Sequence, residues 1–334
     1  MVDLTHNHIC YDYLTFTSKI HSERSIFELL GIDPTLFSPG KGRYGYKDSF
    51  QFDNINIYYN GCEDTVCCEM SGKGCRSFEE YGSGDYQSIF DEILLNHNDD
   101  SELSQMNITR LDVAYDDFTG LLDLPLLCSE TQKHHFISRF KDWQVIFGNK
   151  GIAVDHGSMS SRVYIRIYDK RLEQKLADFI PHWVRCEIQM RKECAFGFIK
   201  NTMRIDDKYF SVLNNYLRYT VDTPSHKDEK ADTAPHWLRF VGSAEKSSIF
   251  YKPKNDYNFS NLYSWVNSQL APAIDTYLSC VGVDQFISDI KRSVKGRKIN
   301  PKYQKLKEDY NRASDSGQGL IDYLKKHGDL HEEI

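Results

Sequence analysis

Three short segments each place charged or hydroxyl-bearing residues on one face of an extended chain. In a strand, residues two apart share a face. Thr109–Asp116 then sets Arg110, Asp112, Ala114 and Asp116 opposite Leu111, Val113 and Tyr115. Arg162–Lys170 sets Tyr164, Arg166, Tyr168 and Lys170 opposite Val163, Ile165 and Ile167. Trp183–Arg191 sets Arg185, Glu187, Gln189 and Arg191 opposite Val184, Cys186, Ile188 and Met190. If the three pair in one sheet, one face is apolar and packs on helices. The other gathers acids, arginines and tyrosines. Carboxylates hold a hard divalent cation, arginines hold phosphate, and an activated tyrosine attacks phosphorus. Together they suit the cutting and rejoining of a DNA strand through a phosphotyrosine.

Tyr168 and Tyr164 are both nucleophile candidates, one strand period apart beside Arg166 and Lys170. A phenol with an ordinary pKa of ~10 needs nearby cations, or a base that takes its proton. The bland reading is that aromatics are ordinary strand residues. Asp112, Asp116 and Glu187 are the metal candidates, for Mg²⁺ or Mn²⁺. Against that stands a purely structural reading, with Asp112 paired to Arg185 and Glu187 to Arg110 across strands. Ser71-Gly72-Lys73-Gly74-Cys75-Arg76 closes another strand with two glycines and two cations, so Lys73 and Arg76 are DNA-contact candidates. Its spacing is not that of a P-loop, which excludes an ATP site of that kind. Cys62, Cys67, Cys68 and Cys75 lack the Cys-x2-Cys spacing of a zinc site. His6-Asn7-His8 sits in a polar terminal stretch rather than bracketing an apolar residue in a central strand, which disfavours it as a metal pair.

These residues need a sheet and helices to hold them. Alternation predicts strands at 10–18, 50–60, 65–71, 143–148 and 151–155 besides the three above, with 50–60 and 65–71 forming a hairpin. Helices are expected at 22–30, capped by Ser22 and ended by Gly31, at 86–96, near 129–140 and at about 170–179. The apolar stretch 121–127 has no assigned form, and no internal repeat is visible. The fold class expected is α+β: a central antiparallel sheet with flanking helices over 1–221, a polar linker at 222–235, and a mostly helical region over 236–334.

The chain has 334 residues, 40% of them hydrophobic, enough for one large core or two domains. Its net charge of −7 opposes a wholly phosphate-binding surface. The cations are instead concentrated: Lys291, Arg292, Lys295, Arg297, Lys298, Lys302, Lys305 and Lys307 follow one another without an acid. That segment is expected to contact DNA. Nine cysteines, an odd number, and a polar start without a secretory signal point to reduced thiols in a cytoplasm. No apolar run is long enough for a membrane span.

In order and spacing, Ser71–Arg76, Arg110–Asp117, Arg166-Ile167-Tyr168-Asp169-Lys170 with Glu173, and Trp183–Glu187 resemble the Rep_trans family. These are replication initiation factors of rolling-circle plasmids, with related relaxases of conjugative elements and phage. The resemblance covers roughly residues 10–220. It implies that Tyr168, ahead of Tyr164, attacks the nick-site phosphate, and that Asp112 and Glu187 hold a divalent metal. It also implies an origin DNA partner extruded as a hairpin, a homodimer, and a host helicase. Arg166, Lys170 and Arg185 would stabilise charge at phosphorus. One place departs from the pattern: Gly157-Ser158-Met159 stands where members carry Gly-Ser-Arg, so that arginine is missing or supplied by Arg162. Two alternatives stay open, a metal-dependent endonuclease with water as nucleophile and a non-catalytic origin-binding protein.

Overall fold

The computed structural model describes residues 6–61, 64–98, 103–148, 151–224, 231–242, 262, 266–296, 303–304 and 306–308. They divide into two compact units, one up to Pro253 and one from Lys254. The first begins with β1 (His8–Ser18), α1 (Glu23–Leu30), β2 (Ser38–Lys41), β3 (Asp48–Phe52), β4 (Ile55–Tyr59), β5 (Val66–Ser71), α2 (Lys73–Tyr81) and α3 (Tyr86–Asn96). It continues with β6 (Met106–Asp117), α4 (Leu124–Gln132), β7 (Phe136–Ser138), β8 (Trp143–Gly148), β9 (Gly151–His156), β10 (Val163–Asp169) and α5 (Lys170–Gln174). β11 (Val184–Arg191), α6 (Glu193–Lys200), α7 (Ile205–Tyr216), β12 (Leu217–Tyr219) and α8 (Pro235–Val241) complete it.

Ten strands form one antiparallel sheet in the order β2-β3-β4-β5-β1-β6-β11-β10-β9-β8, and β12 pairs with β7 separately. Alternation decides which face is buried. Leu14, Phe16, Leu111, Val113, Ile165, Ile167, Cys186 and Ile188 point to one side. There they meet Ile26 and Leu30 of α1, Phe78 of α2, Ile89 and Ile93 of α3, Leu127 of α4, Phe198 of α6 and Val212 of α7. The expected α+β architecture is thus observed. Burying such side chains contributes about 1.5–3 kcal/mol each, which fixes the helical layer on that side and leaves the other face uncovered by it.

Read outward from the central β1–β6 pair, the sheet is the same on both sides. Each half runs strand, helix, an antiparallel meander back to the centre, then two helices, with β7 and α5 as additions in the second half. In both halves the last strand enters its helix through a residue of positive φ, Gly72 at 33° before α2 and Lys192 at 49° before α6. A repeat that is not visible in the sequence is therefore present in the topology.

Several boundaries differ from expectation. Residues 50–60 are two strands, because the chain turns at Asp53, whose φ is 48°. The helix expected at 129–140 begins earlier, at Leu124, where Asp123 Oδ1 accepts from Leu126 N at 3.0 Å. It ends at Gln132, and Phe136–Ser138 is a strand. α5 stops at Gln174 because Lys175 adopts φ 59°. The first unit also extends past the expected linker: Trp237 is fully buried, and Phe240 packs its ring 5.1 Å from Tyr115. The aromatic content of α8 ties residues beyond 235 to the sheet.

The second unit holds α9 (Ala271–Val281) and α10 (Val283–Val294). Tyr277 packs on Phe286 and its hydroxyl donates to Asp289 at 2.8 Å. Among the described residues, no helix is long and apolar enough to cross a membrane.

Candidate active site

The polar face of the sheet carries a basin of about 650 Å³. β10 and β11 supply its centre. Their register sets Arg166 opposite Glu187 and Tyr168 opposite Arg185, while β6 places Asp116 opposite Arg185. Tyr168 donates its hydroxyl proton to Glu187 Oε2 at 3.2 Å and accepts from Lys170 Nζ at 3.3 Å. The Arg166 guanidinium covers the ring at 4.7 Å. Glu173 pairs with Lys170 and, against the effect of burial, is held below the usual carboxylate range by that ammonium. Burial, and next the Glu187 carboxylate, hold the Tyr168 phenol well above its ordinary value. At rest Tyr168 keeps its proton, and Glu187 Oε2 accepts its hydrogen bond.

Three carboxylates meet around this tyrosine. Asp112 is almost fully buried and bonded by Arg110 Nε at 2.9 Å. Burial, with Glu187 and Asp12 adding repulsion that Arg110 only partly offsets, pushes its carboxyl up to about 8. Burial and then Asp12 raise Glu187 as well. Carboxylates that repel one another in a closed basin are a deficit of positive charge. Asp12, Asp112 and Glu187 offer the oxygen donors that a hard divalent cation such as Mg²⁺ or Mn²⁺ prefers, although their oxygens do not all lie within 4.8 Å of one another.

Asp116 does not belong to that set. It is 1% exposed, and Arg185 grips both of its oxygens, Nε to Oδ1 at 2.7 Å and Nη2 to Oδ2 at 2.6 Å. Trp183 Nε1 donates to Oδ1 at 2.7 Å. Although burial opposes it, Arg185 and Trp183 hold this carboxyl below its usual range. Arg185 also pairs with Asp12 at 2.6 Å, so it is a strut joining β1, β6 and β11 rather than a free phosphate ligand. His8, Cys10 and Asp116 come within 4.8 Å of one another. With Asp116 engaged and the Cys10 thiol pushed up by burial to about 11, they make a poor metal centre.

The remaining sequence candidates are distributed unevenly. Tyr164 lies on the same face but outside the basin lining; it hydrogen-bonds Asp155, which also faces Arg166 Nε at 3.4 Å. Lys73 and Arg76 line the basin rim at the N-terminus of α2, Lys73 paired with Asp53 and Arg76 bonded to the Tyr11 carbonyl at 2.6 Å. Arg162 pairs with Glu193 and does not line the basin, so it does not replace the arginine absent at Met159. Lys291 and Arg292 end α10 in the second unit and Lys295 follows them, while Arg297, Lys298 and Lys302 lie outside the described residues.

Sequence reading missed Asp12. Strict alternation puts it on the apolar side with Leu14 and Phe16. In β1, however, Tyr11 pairs with Val113 and Tyr13 with Asp112, leaving Asp12 as an unpaired bulge residue. Bulges of this kind re-aim a side chain. Gly72 N donates to the Asp12 carbonyl at 2.7 Å and secures the bulge to the start of α2. The signal was a slip of parity: the core residues of β1 run Ile9, Tyr11, then Leu14, Phe16.

With this geometry established, comparison with known proteins decides the family. Residues 106–290 match the replication initiation factor model, Rep_trans. The chain belongs to the replication initiation factor family. Residues 8–94 also match the N-terminal domain of rolling circle replication initiation proteins. The chain is similar to a Bacillus subtilis (strain 168) protein assigned as the DNA relaxase NicK. The two are 26% identical over 313 residues, covering 86% of this chain and 87% of that one. Its structure resembles that of a rolling circle replication initiator protein from Geobacillus stearothermophilus, with a TM-score of 0.62 and 27% identity, covering 74% of this chain and 100% of the other. Members of this kind are rolling-circle initiators or relaxases, and this chain is a site-specific DNA nickase of that type.

Proposed function

We propose that this chain opens one strand of an origin by attack of Tyr168 on a phosphodiester. The supporting observation is the Tyr168 hydroxyl held between Glu187 and Lys170 at the centre of a basic-rimmed basin. In this reading Glu187 accepts the phenolic proton as the oxygen–phosphorus bond forms. The 3′ oxygen leaves, takes a proton from solvent and primes synthesis as a free hydroxyl, while the 5′ phosphate stays on Tyr168. The ester preserves the bond energy, so the reverse attack religates without ATP. Arg166 and Lys170 face the developing phosphorane charge. Arg185 acts through Asp12 and Asp116, as a positioning residue.

Asp12, Asp112 and Glu187 would hold Mg²⁺ or Mn²⁺. Such a cation would polarise the phosphate oxygen and lower the repulsion among the three acids. Lys73 and Arg76 would track the strand backbone from the rim, and the basic segment 291–307 would contact duplex origin DNA. A second subunit would supply the tyrosine that ends a round, and a host helicase would unwind ahead of it, both in a reducing cytoplasm.

The test is incubation of a supercoiled library of candidate origins with the protein and Mn²⁺, with denaturing gels for wild type and Tyr168→Phe. The expected result is a protein–DNA adduct that is absent from the variant. Nicking without an adduct, unchanged in Tyr168→Phe, would transfer the attack to water and refute the assignment.

A further inference from the structure

The catalytic cluster occupies one half of a two-fold sheet, and the other half has an equivalent place. In β10–β11, Ile165 faces Ile188 and Arg166 faces Glu187. In β4–β5, Ile57 faces Cys68 and Tyr58 faces Cys67. Counted from those apolar pairs, Tyr58 and Cys67 take the places of Arg166 and Glu187, and Glu69 takes the place of Gln189. The nucleophile and its acid are gone from this half. A tyrosine cluster around a single acid stands in their stead.

Glu69 is 6% exposed, and its Oε2 has no hydrogen-bond partner among the described residues. The buried Tyr58 hydroxyl is equally unpartnered among them. Polar groups buried in this way carry a desolvation cost that folding alone has no reason to retain. Tyr44 reaches Glu69 with its hydroxyl and packs edge-on against Tyr58 at 5.6 Å, yet 67% of it is exposed. Across β1, Thr15 faces both Glu69 and Arg110, and Tyr13 lies one strand period from Thr15. The Arg110 guanidinium covers the Tyr13 ring at 3.9 Å and also binds Asp112. The tyrosine cluster is therefore continuous with the basin wall.

We propose that this place is a base-reading subsite, in which one unpaired nucleotide beside the scissile phosphate stacks on Tyr44 and presents a guanine edge to Glu69. An exposed aromatic ring holds any base by its face, without sequence preference. An acceptor-only carboxylate discriminates among the edges of single-stranded bases. Guanine offers two adjacent donors, N1–H and the 2-amino group. Thymine turns carbonyl oxygens toward the same carboxylate, and those repel it. The inference rests on the basin being the nicking centre, and it assigns that centre a specificity residue in the half of the sheet that does no chemistry.

The experiment reads binding rather than cleavage. Tyr168→Phe protein is mixed with a randomised single-stranded oligonucleotide pool, and the retained strands are sequenced. Oligonucleotides with guanine, inosine or thymine at the selected position are then titrated by fluorescence anisotropy. The expected result is a guanine preference of about ten-fold at one position, the size of one base-specific contact. Inosine, which lacks the 2-amino group, should bind more weakly there. Adding Glu69→Gln should erase the preference at that position alone, while Tyr44→Ala should weaken all bases alike. Absence of any position whose preference depends on Glu69 would overturn the proposal. So would a Glu69→Gln variant that loses affinity equally for every base or melts well below its parent, since either marks a structural acid. Failure of wild type to form an adduct would strike the Tyr168 assignment and leave this measurement intact.

Discussion

Replacing Arg185 by Met should separate a strut from a phosphate ligand. Arg185 is 4% exposed and links Asp116 on β6, Asp12 on β1 and its own strand β11. Its removal leaves Asp116 a buried carboxylate held by Trp183 Nε1 at 2.7 Å, by His8 Nε2 at 3.5 Å and by the weak Cys10 thiol. Breaking a buried pair on one side costs about 3–5 kcal/mol, or roughly 6–20 °C in melting temperature for a unit of this size. The pH dependence should reverse as well. In the wild type Arg185 holds Asp116 below its usual range, so the stability it lends is present above the unfolded value and lost as pH falls through the folded one. Without Arg185, burial becomes the dominant influence, the carboxyl rises above its unfolded value, and stability is lost as pH rises. The gap between the two proteins should therefore be small near pH ~4 and widest at neutrality. Urea unfolding across that range measures it, and adding Asp116→Asn to Arg185→Met should recover much of the loss. A variant within about 1 kcal/mol of wild type at all pH values, with only nicking impaired, would refute the strut and return Arg185 to the phosphate.

Asp112→Asn should alter stability in the opposite sense. A carboxyl pushed up to about 8 weakens the metal-free fold as pH rises toward that value, so the variant should melt higher than wild type at pH 8 and above with chelator present. It should also lose the stabilisation that Mn²⁺ gives wild type, and equal Mn²⁺ shifts in both proteins would remove Asp112 from the ligand set. Truncation after residue 221 should yield an unfolded product by circular dichroism, because it removes the fully buried Trp237, whose loss alone costs about 3–5 kcal/mol. Gly74→Ala places a Cβ 2.3 Å from the Asn54 carbonyl oxygen, so α2 or the β3–β4 turn must shift. It should cost about 1–3 kcal/mol in urea unfolding and lower nicking by displacing Lys73 and Arg76 from the rim.

Much of the catalytic half was legible because its strands alternate cleanly. Leu111, Val113, Ile165, Ile167, Cys186 and Ile188 all lie in the core, and the residues between them face the basin wherever the strands remain regular. Charge bookkeeping was less legible, since alternation gives a residue's face and not its partner. Asp112 pairs with Arg110 on its own strand, two residues away, rather than with Arg185 across the sheet. Asp116 is the same residue type as Asp112 and lies on the same face, yet one is an ion-pair anchor and the other an acid pushed up by burial and then by neighbouring acids. That distinction arises where β1, β6 and β11 meet, and no single segment contains it. Beyond residue 235, helical propensity was readable. Attachment to the sheet was not, since Trp237 and Phe240 are apolar residues that any helix would bury somewhere.

The two-fold pattern of the sheet explains both what was missed and why the site is one-sided. A repeat held by topology needs only apolar alternation and a positive-φ residue before each closing helix, and many residue types satisfy the first. Gly72 and Lys192 meet the second requirement with different side chains, so the halves share a geometry while differing in residue type. The polar faces differ most. One half holds Tyr168 and Glu187 over the basin, and the other holds Glu69 among tyrosines. β1 and β6, the central pair, contribute Asp12 and Asp112 from opposite sides of the axis. The acids proposed to bind metal thus stand at the seam between the halves, between Tyr168 and the tyrosine cluster. A bulge at Asp12 is what allows β1 to serve both, turning an acid toward the seam while Leu14 and Phe16 return to the core.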